Sequence, residues 1–248
     1  FKYYGVNSRL VFIDSGSVGV TALVAGSTEV VMVAGSPPVL AAAGGTEIVM
    51  FLSLFQGLPY QFYVDPSFKS VKDLQGKKIA VARFGSTSDF ATRLALRNLG
   101  IDPTKDVTLL QVGSTSARAA ALKAGMVYGT LATPPENLVL KKMGYKMIYD
   151  LITSKSPFQF TGATALRSQI TQNPHLFERL VKALSHSIYY FKAQKQFSQQ
   201  VLSKYLRLDD REAIEEGYEY YSKNMQEIPY VAPADFQTII DDLAQQNP

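Results

Sequence analysis

The 248-residue chain contains no cysteine and no tryptophan, and its only histidines are His175 and His186. Without cysteine there is no disulfide, no thiolate nucleophile and no Cys-based metal site. The two histidines are eleven residues apart. On a helix that is about 16 Å along the axis, too far for one metal ion. Glycine-rich phosphate loops, GxSxG elbows and HExxH helices are absent as well. Long apolar runs are also missing. The most apolar region, Val18 to Phe55, is broken by Gly26, Gly35, Pro37, Pro38, Gly44 and Gly45. Nothing in it approaches the roughly 20 residues of a membrane-spanning helix. The net charge is only +4, and the basic residues are scattered. Lys69, Lys72, Lys77 and Lys78 come nearest to a cluster, flanking a turn and a strand start. Such lysines read as solvated surface, not as a nucleic-acid patch. The acid pairs Asp209-Asp210 and Asp241-Asp242 diverge on a helix and make poor acid–base partners. The chain is thus expected to need no cofactor and no metal, to bind no nucleic acid and to span no membrane.

What the chain does have is a repeat. LPYQF, from Leu58, returns as SPFQF, from Ser156, and ALVAG, from Ala22, returns as ALKAG, from Ala121, an offset of 99. Upstream at the same offset Ser15 matches Ser114 and Ser17 matches Ser116. Apolar runs flank both copies, and each copy then reaches a double proline, Pro37-Pro38 and Pro134-Pro135. One unit reads as strand, Ser-rich turn, helix, Gly stop, strand, Pro-rich turn, helix, strand. Serine is a good N-cap, glycine after AL-x-A a good helix stop, and β-branched runs bounded by Gly and Ser read as buried strands. Alternating strand and helix predicts parallel strands and an α/β fold. The second unit carries an extra leading strand, Ile79–Ala82, and a helix over 85–100. By the same pattern FKYYGVN corresponds to a helix tail, so the first unit is expected to lack its leading strand and most of its first helix. The last 85 or so residues read as helices, with starts at Asn173-Pro174, at an Asp209 cap completed by Glu212, and at Ala232-Pro233.

The segment DLQGKKIAV, a Gly-Ser turn and LGIDPTKDVTLLQVG closely resemble the substrate-binding proteins of ABC transporters. The branch is the one serving alkanesulfonates, taurine, nitrate and thiamine-pyrimidine precursors. YYGVNSRLVF and ALVAGSTEVVMVAGSPPVLAAAGG are similar to the same family, and the likeness extends over residues 1 to about 190. Where the family often carries Asp after AL-x-x-G, this chain has Glu29 and Tyr128. The resemblance implies a two-lobe periplasmic-binding-protein-like fold of type II. Each lobe would be a mostly parallel sheet flanked by helices, with two inter-lobe crossover strands. Residues 1–61 and 159–248 would form lobe I, including the C-terminal helices, and residues 62–158 lobe II. It implies an extracytoplasmic, periplasmic or extracellular, monomeric protein that captures a small organic ligand, anionic or planar. The protein would hand that ligand to the membrane subunits of an ABC importer. A membrane tether through the missing N-terminal segment is compatible with this. The alternatives are an enzyme on the same fold, of pyrimidine-precursor-synthase or menaquinone-pathway type, or a ligand-sensing domain. The synthase branch is associated with a Cys-rich motif and an active-site histidine, which this chain does not match.

Ligands of open α/β sheets bind at strand C-termini and helix N-termini. The expected ligand-binding residues there are Ser15 and Ser17; Gly85, Ser86, Thr87 and Ser88; and Ser114 and Ser116. Their hydroxyls and nearby backbone N–H groups suit anionic oxygens, although the same residues would serve as ordinary N-caps. Arg83, at the end of the predicted strand, could pair a sulfonate, carboxylate or phosphate. Arg118 is the weaker candidate, because a cation in a first helical turn opposes the dipole. Ser36 and Thr133 precede the double prolines, which hold them extended, and their hydroxyls could face ligand. As inter-lobe strands the two echoes would alternate between cleft and core. Tyr60 and Phe158, equivalent by the repeat, are the expected cleft pair, with Phe62 and Phe160 their alternates.

Overall fold

The computed structural model describes residues 1–153 and 157–246, so Ser156, which opens the second echo, lies outside the described residues. In chain order the elements are α1 (Gly16–Val24), β1 (Val31–Val33), α2 (Ser36–Ala43), β2 (Ile48–Ser53), β3 (Gln61–Val64) and β4 (Lys78–Val81). Then come α3 (Thr87–Asn98), β5 (Thr108–Gln111), α4 (Thr115–Lys123), β6 (Gly129–Ala132), α5 (Glu136–Lys142) and β7 (Lys146–Asp150). The chain continues through β8 (Gly162–Leu166), α6 (Arg167–Gln172), α7 (Pro174–Ala193), α8 (Lys195–Leu206), α9 (Arg211–Asn224) and α10 (Gln237–Gln246). By internal contacts the chain divides into two units. Unit 1 comprises Phe1–Gly57, Ser156–Asp209 and Tyr218–Pro248, and unit 2 comprises Leu58–Lys155 and Asp210–Gly217.

The repeat is structural as well as sequential. Helix α1 and helix α4 start and stop 99 residues apart. Leu23 and its equivalent Leu122, each the penultimate residue of its helix, are 0% and 1% exposed. Gly26 (φ 72°) and Gly125 (φ 68°) end the two helices in the left-handed region that only glycine enters without strain. In both copies the next residue's N–H reaches back to a carbonyl five residues earlier, Ser27 to Ala22 and Met126 to Ala121, and so satisfies a helix-end carbonyl.

Unit 1 holds a three-stranded sheet in the order β1-β8-β2. Strand β8 is antiparallel to both neighbours, with Val33 and Ser53 each opposite Gly162. The expected mostly parallel sheet is therefore not what hydrogen bonds here. Strands β1 and β2 run the same way, as the strand–helix–strand pattern requires, but β8 lies between them. A Cβ on Gly162 would sit 2.6 Å from the Leu52 carbonyl oxygen and against Met50 Sδ, so only glycine fits this crossing. Helix α1 packs Val20 and Leu23 on Val31 and Val33, and α7 sets Leu184 on Leu52 and Ala163.

Unit 2 holds a five-stranded sheet in the order β5-β4-β6-β3-β7. Strand β4 is parallel to β5 and β6, whereas β3 is antiparallel to β6 and β7. Its core gathers Tyr63, Ala80, Leu122, Val127 and Leu140. Each sheet thus carries one reversed strand, and each reversed strand follows one of the two echoes. LPYQF leads into β3 and SPFQF into β8. Their glutamines play different parts. Gln61 starts β3, donates from Nε2 to Asp150 and accepts at Oε1 from Tyr63 and Asn137, whereas Gln159 forms an isolated bridge with Gln56.

The C-terminal helices do not all belong with unit 1. Asp210–Gly217, the cap and first half of α9, group with unit 2. There Lys142 Nζ pairs with Asp210 and Glu212, both at 2.8 Å, and Gly217 lets Pro135 approach to 3.0 Å of where a Cβ would stand. The cap of α9 is Asp210, whose Oδ1 accepts the Ala213 N–H at 3.1 Å, and not Asp209.

Candidate functional site

In unit 1 the C-terminal edge of β1 meets the first turns of α1 and α2. Ser15 is the N-cap of α1, buried and extended, with its Oγ 3.0 Å from Ser17 Oγ. The first turn of α1 carries no acid, so nothing on the helix offsets its N-terminal dipole. Ser36 opens α2, and the two prolines that follow remove two of the N–H groups a helix start normally offers. Ser36 is 2% exposed, and its hydroxyl has no hydrogen-bond partner among the described residues. Beside it the Gly35 N–H donates to the Gln159 carbonyl at 2.9 Å. Gln159 Oε1 is likewise buried without a partner. A buried polar atom without a partner is costly unless a ligand or water completes it.

In unit 2 the edge is built from the ends of β4, β5 and β6. After β4 the chain turns through Arg83 and Gly85 (φ 73°) to Ser86, the N-cap of α3. This turn satisfies itself. Ser86 Oγ accepts from Asp89 N at 3.3 Å and Arg83 N at 3.4 Å, and Ser88 Oγ accepts from Ala82 N at 2.8 Å. Asp89 Oδ2 takes the Gly85 N–H at 3.0 Å, and Gln111 Oε1 takes that of Phe84 at 2.9 Å. Ser86, Thr87 and Ser88 are buried, and Arg83 is half-buried. The residues expected to offer donors to an anion thus spend most of them inside the chain, and Asp89 supplies the negative charge that the helix end attracts.

The α4 end is more open. Ser114 Oγ caps Ala117 N at 3.2 Å and lies 3.0 Å from Ser116 Oγ, the same spacing as Ser15 and Ser17 in the other unit. No acid occupies its first turn. Thr133 is half-buried before the cis Pro134–Pro135 peptide, and its carbonyl accepts the Asn137 N–H at 3.0 Å. The expected aromatic pair is mostly enclosed: Tyr60 is 7% exposed and Phe158 is 0% exposed.

Arg118, the weaker candidate by dipole reasoning, is a central member of this edge. It is 2% exposed and donates from Nε to Thr130 Oγ1 (3.1 Å), from Nη1 to Gly113 O (2.7 Å), and from Nη2 to Thr115 Oγ1 (3.1 Å) and Leu131 O (3.2 Å). These acceptors come from the β5–α4 turn and from β6, so no single stretch of sequence displays them. Burial lowers the Arg118 pKa, while Tyr60 and Glu136 raise it. Burial likewise raises the Tyr60 phenol, with Arg118 opposing and Glu136 adding. Glu136 is raised by burial, against its own backbone N–H and the Arg118 guanidinium.

Among the described residues no group of three His, Cys, Asp or Glu could hold a metal ion. Both histidines lie on α7, His175 Nδ1 at 3.5 Å from Glu178 and His186 Nδ1 at 3.2 Å from the Tyr4 hydroxyl. His186 also lines a cavity of about 330 Å³ in unit 1, with Tyr4, Tyr190 and Phe197 on its walls. No strand end contributes to it. The strand edges carry hydroxyls, backbone amides and the buried Arg118 guanidinium.

Residues 1–204 match the NMT1-like family. The chain belongs to that family. Among solved structures it is similar to the alkanesulfonate-binding protein SsuA from Xanthomonas axonopodis pv. citri bound to MOPS. That likeness has a TM-score of 0.78 and 19% identity, covering 95% of this chain and 81% of that one. The periplasmic aliphatic sulphonate binding protein SsuA from Escherichia coli gives a TM-score of 0.72 at 21% identity, covering 95% of this chain and 80% of that one. The Candida albicans CA3427 gene product, described as exhibiting the generic periplasmic binding protein structural fold, gives 0.77 at 14% identity, covering 99% and 82%. A search of curated proteins returned no significant match. At these identities the structural likenesses establish the fold, which is the two-lobe periplasmic-binding-protein fold of type II.

Proposed function

We propose that this NMT1-like protein is an extracytoplasmic solute-binding protein. It takes a small organic molecule at the strand C-termini of its two units and delivers it, chemically unchanged, to the membrane subunits of an ABC importer. The observation that carries this reading is the repeated polar edge on a periplasmic-binding fold. The Ser15–Ser17 and Ser114–Ser116 pairs stand at equivalent helix starts, both 3.0 Å apart, in units that the repeat relates. The orphaned Ser36 hydroxyl and Gln159 oxygen beside the first pair add groups that a ligand would complete. The similar SsuA proteins, which bind sulfonates, favour the same reading. No helix among the described residues is long and apolar enough to cross a membrane, so in this reading the importer's own subunits supply the spanning part.

Ligand contact with both units would select a closed arrangement by its differential affinity. Moving a population from about 1% to about 99% closed takes roughly 5.5 kcal/mol, and micromolar binding supplies about 8 kcal/mol in total. The enzyme reading has less behind it. The chain has no cysteine, and its histidines sit on α7 beside Glu178 and Tyr4. Native mass spectrometry of the protein as purified tests the proposal. One non-covalently held small molecule per chain, recovered intact after prolonged incubation, is the expected result. Conversion of that molecule would favour the enzyme.

A further inference from the structure

The two sheets match in part. At the offset of 99, β6 corresponds to β1 and β7 to β2, and the reversed strands β3 and β8 lie between them in the same way. The remaining pair of unit 2, β5 and β4, has no such counterpart in unit 1. Strand β5 corresponds to residues 9–12, which belong to unit 1 but form no strand. Strand β4 corresponds to nothing among the 248 residues. Strand β1 is therefore an edge, where its equivalent β6 is flanked on both sides.

The backbone shows the same gap. In unit 2 the β4 segment accepts amides from both neighbours, to which it is parallel. Thr108 N–H donates to Lys77 O at 2.9 Å, Val112 N–H to Val81 O at 2.9 Å, and Tyr128 N–H to Lys78 O at 2.8 Å. Their equivalents are Arg9, Ile13 and Glu29. Among the described residues none of these three N–H groups has a backbone acceptor. The side chains agree. Leu10, Val11 and Phe12 are exposed, and Met32 of β1 is 45% exposed where its equivalent Leu131 is 0% exposed. An open edge beside exposed apolar side chains is a template for another strand.

We propose that the open edge of β1 is a strand-accepting site. It takes an extended polypeptide segment that runs parallel to β1 and pairs with residues 9–12 on its other side, as β4 pairs with β6 and β5. The repeat states the chemistry of the occupant as well. In β4, Ile79, Ala80 and Val81 follow Lys78 and are all buried, and a strand covered on both faces is a continuous apolar run. In the equivalent register the first two apolar residues stand opposite Leu10 and Val30, then opposite Val11 and Val31. Main-chain pairing supplies the affinity and the apolar side chains the selectivity. The proposal does not depend on the solute-binding reading.

The probe is a labelled peptide of residues 75–84, QGKKIAVARF, titrated into the full chain and followed by fluorescence anisotropy. Hydrogen exchange is read on the same complex. Saturable binding of one peptide per chain is expected, with slowed exchange at residues 9–13 and 29–33. The same peptide carrying Ala80→Pro keeps its charge but cannot pair normally on both sides. It is expected to bind at least about tenfold more weakly. Val11→Pro in the full chain lies in a stretch that makes no backbone hydrogen bond among the described residues. It is expected to leave the melting temperature unchanged and to weaken the parent peptide by a similar factor; if it lowers the melting temperature, the peptide variant decides. No saturable binding overturns the proposal. Equal binding of the proline peptide overturns it too, since it marks attachment by charge. Exchange at residues 29–33 that slows in the free chain in step with dimer formation, read by sedimentation, assigns the edge to a second copy and also overturns it.

Discussion

Replacing Arg118 with alanine gives the sharpest test of how unit 2 holds its polar edge together. The guanidinium is 2% exposed and bridges the β5–α4 turn to β6 through Gly113 O, Thr115 Oγ1, Thr130 Oγ1 and Leu131 O. Thr130 has a fallback, since its hydroxyl also donates to Ala80 O at 3.1 Å. The Gly113 and Leu131 carbonyls would lose a charged donor each. A buried group left unsatisfied costs about 1–3 kcal/mol, so the two carbonyls account for about 2–6 kcal/mol. The lost packing of the side chain adds to this. Relief of burying a cation subtracts from it, and a net loss of about 3–5 kcal/mol is expected. For a chain of this size that corresponds to roughly 6–20 °C in Tm. Lysine keeps the charge but presents three donors from one point and cannot span acceptors on two elements, so Arg118→Lys should recover only part of the loss. Urea unfolding, followed by circular dichroism, measures both variants. A loss below about 1 kcal/mol for Arg118→Ala would refute the idea that this guanidinium clamps the edge.

Other outcomes follow from the same geometry. The Glu136 pKa is raised in the folded chain, so as pH rises through the ordinary glutamate range the unfolded chain gives up its proton first. Stability then falls until the higher folded value is passed, and the cost is fully present above it. Glu136→Gln should therefore raise Tm at neutral pH and make no difference below about pH 4, as thermal melts across that range would show. Gly162→Ala should destabilise unit 1 by about 1–3 kcal/mol or more, because a Cβ meets the Leu52 carbonyl and Met50 with no room to yield; an unchanged unfolding midpoint would contradict the β8 register. Asp89→Ala removes the acceptor of Gly85 N and the partner of Arg93 Nε at 2.8 Å, and should cost about 1.5–3 kcal/mol in urea titrations. Small-angle scattering should show the chain becoming more compact when its ligand is added, and superimposable profiles would count against closure.

Much of the architecture was legible because a repeat states the same local physics twice. Ser15 and Ser114, Leu23 and Leu122, and Gly26 and Gly125 each recur as turn, core and helix stop. The reversed strands β3 and β8 were not legible, since periodicity along a strand carries no information about the direction of its neighbours. The placement of Asp210–Gly217 with unit 2 depends on Lys142, a contact between residues 68 apart in sequence. The site divides in the same way. Hydroxyl-rich turns can be read directly, but the Gly85–Ser88 turn proved to spend its donors on itself, and Asp89, the third residue of α3, was the available sign of that. Arg118 looked unfavourable on helix-dipole grounds alone, and four acceptors, two local (Gly113 O and Thr115 Oγ1) and two on β6 (Thr130 Oγ1 and Leu131 O), outweigh that small term.

The central claim is reversible capture of a small molecule without chemistry. Its most direct test is a calorimetric titration of ligand-stripped protein with the molecule found by native mass spectrometry, followed by recovery of that molecule. The account predicts a saturable single-site isotherm at micromolar affinity or better, about 8 kcal/mol or more of binding free energy, and a ligand returned unaltered. The absence of saturable binding, or recovery of a converted product, would contradict it.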